Sequence, residues 1–271
     1  MPTMPAFIYG TAWKASATAT LVKQAITQGF KAIDTANQPK HYLEEAIGEA
    51  LKELSQQGIE RSQLFLQTKF TPANGHDEHI PYDPNAALKD QVETSFKSSL
   101  EHLKTHYLDS YLLHGPYGWP GLNEDDWQVW QAIERIYESG QVKSIGISNV
   151  NIEQLELLVS KAKIKPMVVQ NRCFSRQGWD KAVRDFCRSH NIIYQGFSLL
   201  TANPEIFGHP AVQEISTRLD KTPAQILFRF AIHLGIVPLT GTSSKQHMQQ
   251  DLEVLRFELA ADDVDKIKKL P

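Results

Sequence analysis

The chain has only two cysteines, Cys173 and Cys187. These are too few for a disulfide framework at this length, and they are not spaced as a metal clip, so they read as reduced intracellular thiols. No run of about 18 apolar residues occurs, so no membrane span is expected. The start, Met1-Pro2-Thr3-Met4-Pro5-Ala6-Phe7, lacks the basic and apolar regions of a secretory signal. The expectation is a soluble cytoplasmic protein. An excess of positive charge is also missing. Lysine and arginine total 28 against 31 aspartates and glutamates, a net charge of −3, and the basic residues are scattered. Nucleic acid and anionic membranes are therefore poor partners. No linker, charge block or short repeat divides the chain. The His-Glu-x-x-His, Walker and Gly-x-Ser-x-Gly signatures are absent, which leaves hydrolase chemistry unsupported.

What is present is a balanced globular composition, 41% hydrophobic and 22% charged, arranged as short apolar runs alternating with segments of helical period. The runs predict eight strands, at Ala6–Tyr9, Ala32–Asp34, Leu64–Lys69, Leu108–His114, Ser144–Ser148, Met167–Gln170, Ile192–Phe197 and Ile236–Thr240. Helices are predicted near 15–29, 42–56, 86–104, 125–139, 151–161, 178–189, 222–234, 244–254 and 261–269. Leu43, Ile47, Ala50, Leu51 and Leu54, for example, share one helical face. Asn85, Asn151 and Thr222 stand at N-cap positions, with Pro223 at a first helical position and Gly140 and Gly235 as stops. Eight such units over residues 1–271 predict a single-domain, closed (β/α)₈ TIM barrel.

Barrel sites lie at the C-terminal strand ends. Three consecutive strands end in titratable groups, Asp34, Lys69 and His114, where burial is costly unless the groups pair. The plain reading is an ion pair closing the barrel mouth beside a core histidine. The chemical one is a cation held charged by Asp34 and lowering the pKa of a nearby phenol, with Tyr42 the nearest in sequence. A Schiff-base role for Lys69 in an isomerase or lyase is a further alternative.

These residues resemble the aldo-keto reductases over nearly the whole chain. The resemblance rests on Gly10-Thr11-Ala12-Trp13, Asp34-Thr35-Ala36 with Gly48-Glu49-Ala50-Leu51, Thr68-Lys69, Ser99-Leu100-x-x-Leu103 leading through Tyr107-Leu108-Asp109 to His114-Gly115-Pro116, Gly146-Ile147-Ser148-Asn149 and Val168-Val169-Gln170-Asn171. It implies an NAD(P)(H)-dependent monomeric carbonyl reductase with the tetrad Asp34, Tyr42, Lys69 and His114. Hydride would come from the nicotinamide and a proton from Tyr42, with Lys69 tuning the phenol and His114 orienting the carbonyl. It further implies that Ser148, Asn149 and Gln170 hold the carboxamide, that Phe197 stacks on the ring, and that Ser198-Leu199-Leu200 run under the pyrophosphate. Thr11 and Asp34 would also face the cofactor, and Thr240, Gly241, Thr242, Ser243, His247 and Asp251 would take its phosphate end. A cofactor-binding regulatory protein on the same barrel is the rival.

The chain departs from the family pattern in several places. Pro39 occupies the usual tyrosine position, so a longer loop, Asn37-Gln38-Pro39-Lys40-His41-Tyr42, must deliver Tyr42. His41 is then either a solvated loop residue or a second proton donor. The family's phosphate-end lysine is Leu239 and its arginine is His247, which leaves NADP(H) favoured but NAD(H) or dual use open; backbone N–H groups at a helix start could still bind phosphate. The amino end is short before Gly10, and no long tail follows the last helix. Substrate walls are expected from Trp13, the loop at 70–84 and Trp119, favouring aromatic or medium aldehydes. His76-Asp77-Glu78-His79 mimics a metal cluster but reads as a solvated turn, so no metal is assigned.

Overall fold

The computed structural model describes residues 4–270, so Met1–Thr3 of the amino-terminal stretch and the terminal Pro271 lie outside the described residues. The strands are β1 (Ile8–Gly10), β2 (Ala32–Asp34), β3 (Phe65–Phe70), β4 (Ser110–Leu113), β5 (Ile145–Ser148), β6 (Val168–Arg172), β7 (Ile193–Phe197) and β8 (Val237–Thr240). They pair in parallel in chain order, and β8 closes onto β1 through Ile8 opposite Leu239. The predicted barrel is formed, with each strand end within two residues of its sequence-based position.

Alternation along the strands divides the core in two. Outward residues such as Tyr9, Ile33, Leu66, Tyr111, Ile147 and Val169 join the large apolar layer beneath the helices. Inside the barrel the apolar plug is small, built on Ile8, Ala32, Phe65 and Leu239. Above it the interior turns polar, with Gln67, Gln195, Gln170, Asp34 and Lys69 all buried. Burying that much polar surface is tolerable only where each group finds a partner.

The helices are α1 (Thr18–Gln28), α2 (Glu44–Gln56), α3 (Leu88–His102), α4 (Glu124–Glu138), α5 (Ile152–Lys161), α6 (Lys181–Ser189), α7 (Pro204–Phe207), α8 (Pro210–Leu219), α9 (Pro223–His233), α10 (Lys245–Glu253) and α11 (Ala261–Lys268). Asn151 and Thr222 close capping boxes with Gln154 and Gln225, as their spacing predicts. Asn85 does not cap α3. Ala87 holds that position, and the Asn85 N–H instead donates to Asp83 Oδ1 at 2.9 Å in the preceding turn. The sequence reading also omits α7 and α8, both of which start on proline.

Helix α2, which follows Tyr42, lies tight against α3. A Cβ on Gly48 would come within 2.0 Å of the His102 carbonyl oxygen, so only glycine fits there without movement. The leading end of α2 is anchored as well, because buried Glu44 accepts from Ser99 Oγ at 2.9 Å and from Thr68 Oγ1. No described helix is long and apolar enough to cross a membrane.

Candidate active site

The three titratable strand ends meet at the barrel mouth. Lys69 is 1% exposed, and its Nζ lies 2.7 Å from both Asp34 carboxylate oxygens and 2.8 Å from the Thr35 carbonyl. All three ammonium hydrogens are therefore engaged. Such an amine has no free lone pair for a carbonyl, and this argues against a Schiff-base lysine. Asp34 Oδ1 also accepts from Gln67 Nε2 at 2.7 Å and Gln170 Nε2 at 2.9 Å.

The unusual loop brings Tyr42 to this pair. Asn37 is tied to Ser95, and the Gln38 carbonyl accepts the N–H groups of His41 and Tyr42, making a compact turn around Pro39. The Trp13 N–H donates to the His41 carbonyl at 2.8 Å, pinning the turn to the β1 loop. The Tyr42 ring centroid lies 6.1 Å from that of His114 and 5.6 Å from Lys69 Nζ.

The expectation that Lys69 lowers the Tyr42 pKa is not met. Burial and the nearby Asp34 charge push the phenol upward. The reason is the ion pair itself. With Asp34 chelating Lys69, the cation is offset at close range, and burial pulls the Lys69 ammonium down as well. Tyr42 is a neutral phenol throughout the ordinary pH range.

His114 is neutral too, because burial and the charge of Lys69 drive its pKa well below 6.5. Its Nδ1 is 2.7 Å from Thr71 Oγ1. Where the Thr71 hydroxyl donates to Nδ1, the neutral ring carries its proton on Nε2, the nitrogen that can then polarise a carbonyl oxygen. Thr71 is itself fixed, since its carbonyl accepts from Tyr82 Oη at 2.6 Å. Thr71→Val should lower kcat roughly tenfold, about the worth of one hydrogen bond, with cofactor affinity unchanged and activity kept in Thr71→Ser. Steady-state kinetics and cofactor titration of both variants check this, and an undiminished Thr71→Val enzyme would remove the tautomer role.

These groups line one end of a cavity of about 750 Å³ at the strand C-termini. Asp34, Tyr42 and His114 are joined there by Ser148, Asn149, Gln170, Phe197, Ser198, Leu199 and Leu200, and at the far end by Thr240, Gly241, Thr242 and His247. Trp13, Asn149 and Ser198 adopt left-handed backbone at φ 62°, 54° and 57°, and all three line the cavity. Strained residues of this kind persist where surroundings over-determine them, a common property of binding sites.

Some expected residues stand elsewhere. Thr11 is buried, with its hydroxyl donating to the Asp34 carbonyl at 2.9 Å. Ser243 does not line the cavity, and neither does Asp251, whose carboxyl is pushed up to about 6 by burial. Trp119 is 80% exposed and does not line this cavity. His41 is half-buried and lines the cavity. Its ring centroid lies 3.8 Å from that of Trp13 with the planes tilted by 41°, and its Nδ1 is bonded to Gln38 Oε1 at 2.9 Å. In the histidine-rich turn, His76 Nε2 faces the Thr71 carbonyl, while Asp77, Glu78 and His79 bring their ligand atoms together at the surface.

Sequence reasoning missed two cations. Half-buried Lys14 lines the cavity and donates to the Gly241 carbonyl, reaching from the β1 loop the place where β8 carries Leu239. Arg172 lines it from β6, lying 5.5 Å from the Phe197 ring centroid. Neither has a carboxylate partner among the described residues. Their positions directly after Trp13 and two residues after Gln170 were the available signal.

A model of the aldo/keto reductase family matches residues 5–203. Glyoxal reductase of Bacillus subtilis is 32% identical over 249 residues, 92% of this chain and 82% of its own length. NADPH-dependent codeinone reductase 1-4 of Papaver somniferum is 31% identical, covering 92% of this chain and 79% of that protein. Among solved structures, an aldo-keto reductase from a deep-sea metagenome library superposes with a TM-score of 0.82 at 28% identity, over 98% of this chain and 90% of its own.

Proposed function

The chain belongs to the aldo/keto reductase family, and from that premise we propose that it reduces an aldehyde or ketone to an alcohol at the expense of a nicotinamide dinucleotide. The observation that carries this reading is the meeting of Tyr42, His114 and the Asp34–Lys69 pair at one end of a cavity whose other end holds Gly241, Thr242 and His247. The bound dinucleotide supplies the hydride. Tyr42 holds the proton for the carbonyl oxygen, neutral His114 donates a hydrogen bond to that oxygen, and the ion pair fixes the floor beneath them.

The residues present fit such a cofactor. Gln170, Ser148 and Asn149 are polar groups at strand ends beside the Phe197 ring, and Lys14 and Arg172 are cations without acidic partners among the described residues, suited to a diphosphate. Backbone N–H groups at the start of α10 add to this, with Ser244 as its N-cap. His247, on the first turn of α10, is exposed and only 3.4 Å from Thr242 Oγ1. It offers weak recognition of an adenosine phosphate, so both NADPH and NADH should serve. His247→Arg should tighten NADPH relative to NADH by about tenfold through a charge-assisted contact. Paired titrations read that ratio, and an unchanged ratio would place the adenosine phosphate elsewhere.

Behind His114 lies a smaller cavity of about 220 Å³ that shares Gln38, His114 and Asn149 with the first and adds Thr71, Pro72, Asn74, Gly75, Gly115 and Pro116. This lining mixes Gln38, Thr71, Asn74, His114 and Asn149 with prolines and glycines and holds no large aromatic, so a small carbonyl such as a dicarbonyl suits it, while Trp13 on the main cavity keeps aromatic aldehydes as the competing substrate class. The relative named glyoxal reductase is in keeping with this. The test is loss of the reduced-nicotinamide absorbance with NADPH and NADH in parallel, over glyoxals, nitrobenzaldehyde and diketones. Turnover fastest with glyoxals supports the whole reading, whereas tight cofactor binding without turnover points to the regulatory rival.

A further inference from the structure

The polar layer inside the barrel contains two glutamines with no part in the chemistry described above. Gln67 and Gln195 are both fully buried, on β3 and β7. Gln67 Nε2 donates to Asp34 Oδ1 at 2.7 Å and to Gln195 Oε1 at 2.8 Å. Gln195 Nε2 returns a bond to Gln67 Oε1 at 3.1 Å. Gln170 Nε2 donates to the same two acceptors, Asp34 Oδ1 and Gln195 Oε1, each at 2.9 Å.

The donor and acceptor roles in this ring follow from chemistry. An ionised carboxylate only accepts, so both amides that face Asp34 must present N–H groups to it. Both Gln170 amide hydrogens are then spent inside the barrel, and its Oε1 is the side-chain polar atom left for the cavity that Gln170 lines.

We infer that Gln195, braced by Gln67, is a positioning residue that locks Gln170 with its amide oxygen toward the cavity, making the site select a ring substituent that carries an N–H donor. The inference rests on the reductase reading, in which the ring is a nicotinamide and the substituent its carboxamide. A swung or flipped Gln170 would present an N–H there and lose that selection. Asp34 alone is a weaker brace, because its Oδ1 is already shared with Lys69 and Gln67.

The test is calorimetric titration of the full chain with the oxidised dinucleotide, with its acetylpyridine analogue, in which a methyl replaces the amide nitrogen, and with ADP-ribose, which lacks the ring. Wild type should bind the analogue roughly tenfold more weakly than the parent, the worth of about one hydrogen bond. In Gln195→Leu that ratio should fall to about two while ADP-ribose affinity stays unchanged. Gln195→Glu should restore it. Beside Asp34 the buried carboxyl stays protonated, with its carbonyl still accepting from Gln170 and its hydroxyl donating to Gln67. Equal wild-type binding of parent and analogue, or a full ratio kept in Gln195→Leu, overturns the inference. If Gln195→Leu also weakens ADP-ribose binding, the same ratio read in Gln67→Leu decides. Failure of wild type to bind any dinucleotide would instead sink the reductase reading on which the inference stands.

Discussion

Tyr42→Phe is expected to lower kcat by about a thousandfold while leaving cofactor affinity within roughly twofold, because a positioned general acid contributes on that scale and the ring itself is retained. The Tyr42 phenol is protonated at every ordinary pH, since burial and Asp34 both raise its pKa. It is therefore a proton store whose release must be drawn by the negative charge growing on the substrate oxygen. The pH–rate profile of the wild type should show no limb from a tyrosine falling near neutrality. Stopped-flow measurement of the hydride step, with cofactor titration of the same variant, separates chemistry from binding. A fully active Tyr42→Phe enzyme would remove Tyr42 from the mechanism and turn attention to His41, which shares the cavity and is bonded to Gln38.

Much of the candidate site could be read from the sequence. Asp34, Lys69 and His114 were legible because each interrupts an apolar run within one residue of the end of its strand, and strand ends are where barrel sites form. Their mutual contact follows from the in-order closure of β2, β3 and β4. The loop at 37–42 was not legible, since its turn depends on tertiary anchors, Asn37 on Ser95 and Trp13 on the His41 carbonyl. Trp119 stands outside the main cavity for a related reason, because nothing in its own segment says how its loop is placed. Lys14 escaped notice because the missing cation was sought on β8, whereas barrel closure brings the β1 loop alongside β8. Helices α7 and α8 went unseen although Asn203-Pro204 and His209-Pro210 are usable start signals. A four-residue helix is too short to show a period.

The Asp34–Lys69 pair joins activity to stability. Lys69→Met leaves Asp34 as a buried carboxylate with two amide donors and no cation. Breaking a buried pair from one side typically costs about 3–5 kcal/mol, so the melting temperature should fall by about 10 °C. The stranded carboxyl then has a folded-state pKa raised above its unfolded value of about 3.9. Such a group binds its proton more tightly when folded. Its destabilisation is therefore largest above the raised pKa and relieved as the pH falls through it. The gap in melting temperature between wild type and Lys69→Met should be widest near neutrality and narrow toward about pH 5; a gap that widens in acid would contradict the argument. Turnover should fall by about a thousandfold or more, because the uncompensated Asp34 charge opposes loss of the Tyr42 proton. The double variant Asp34→Asn/Lys69→Met removes that charge and should regain much of the stability while staying slow, since the floor of the site is then neutral but no longer held by the lysine. Recovery of full activity in the double variant would mean that the pair serves the fold alone.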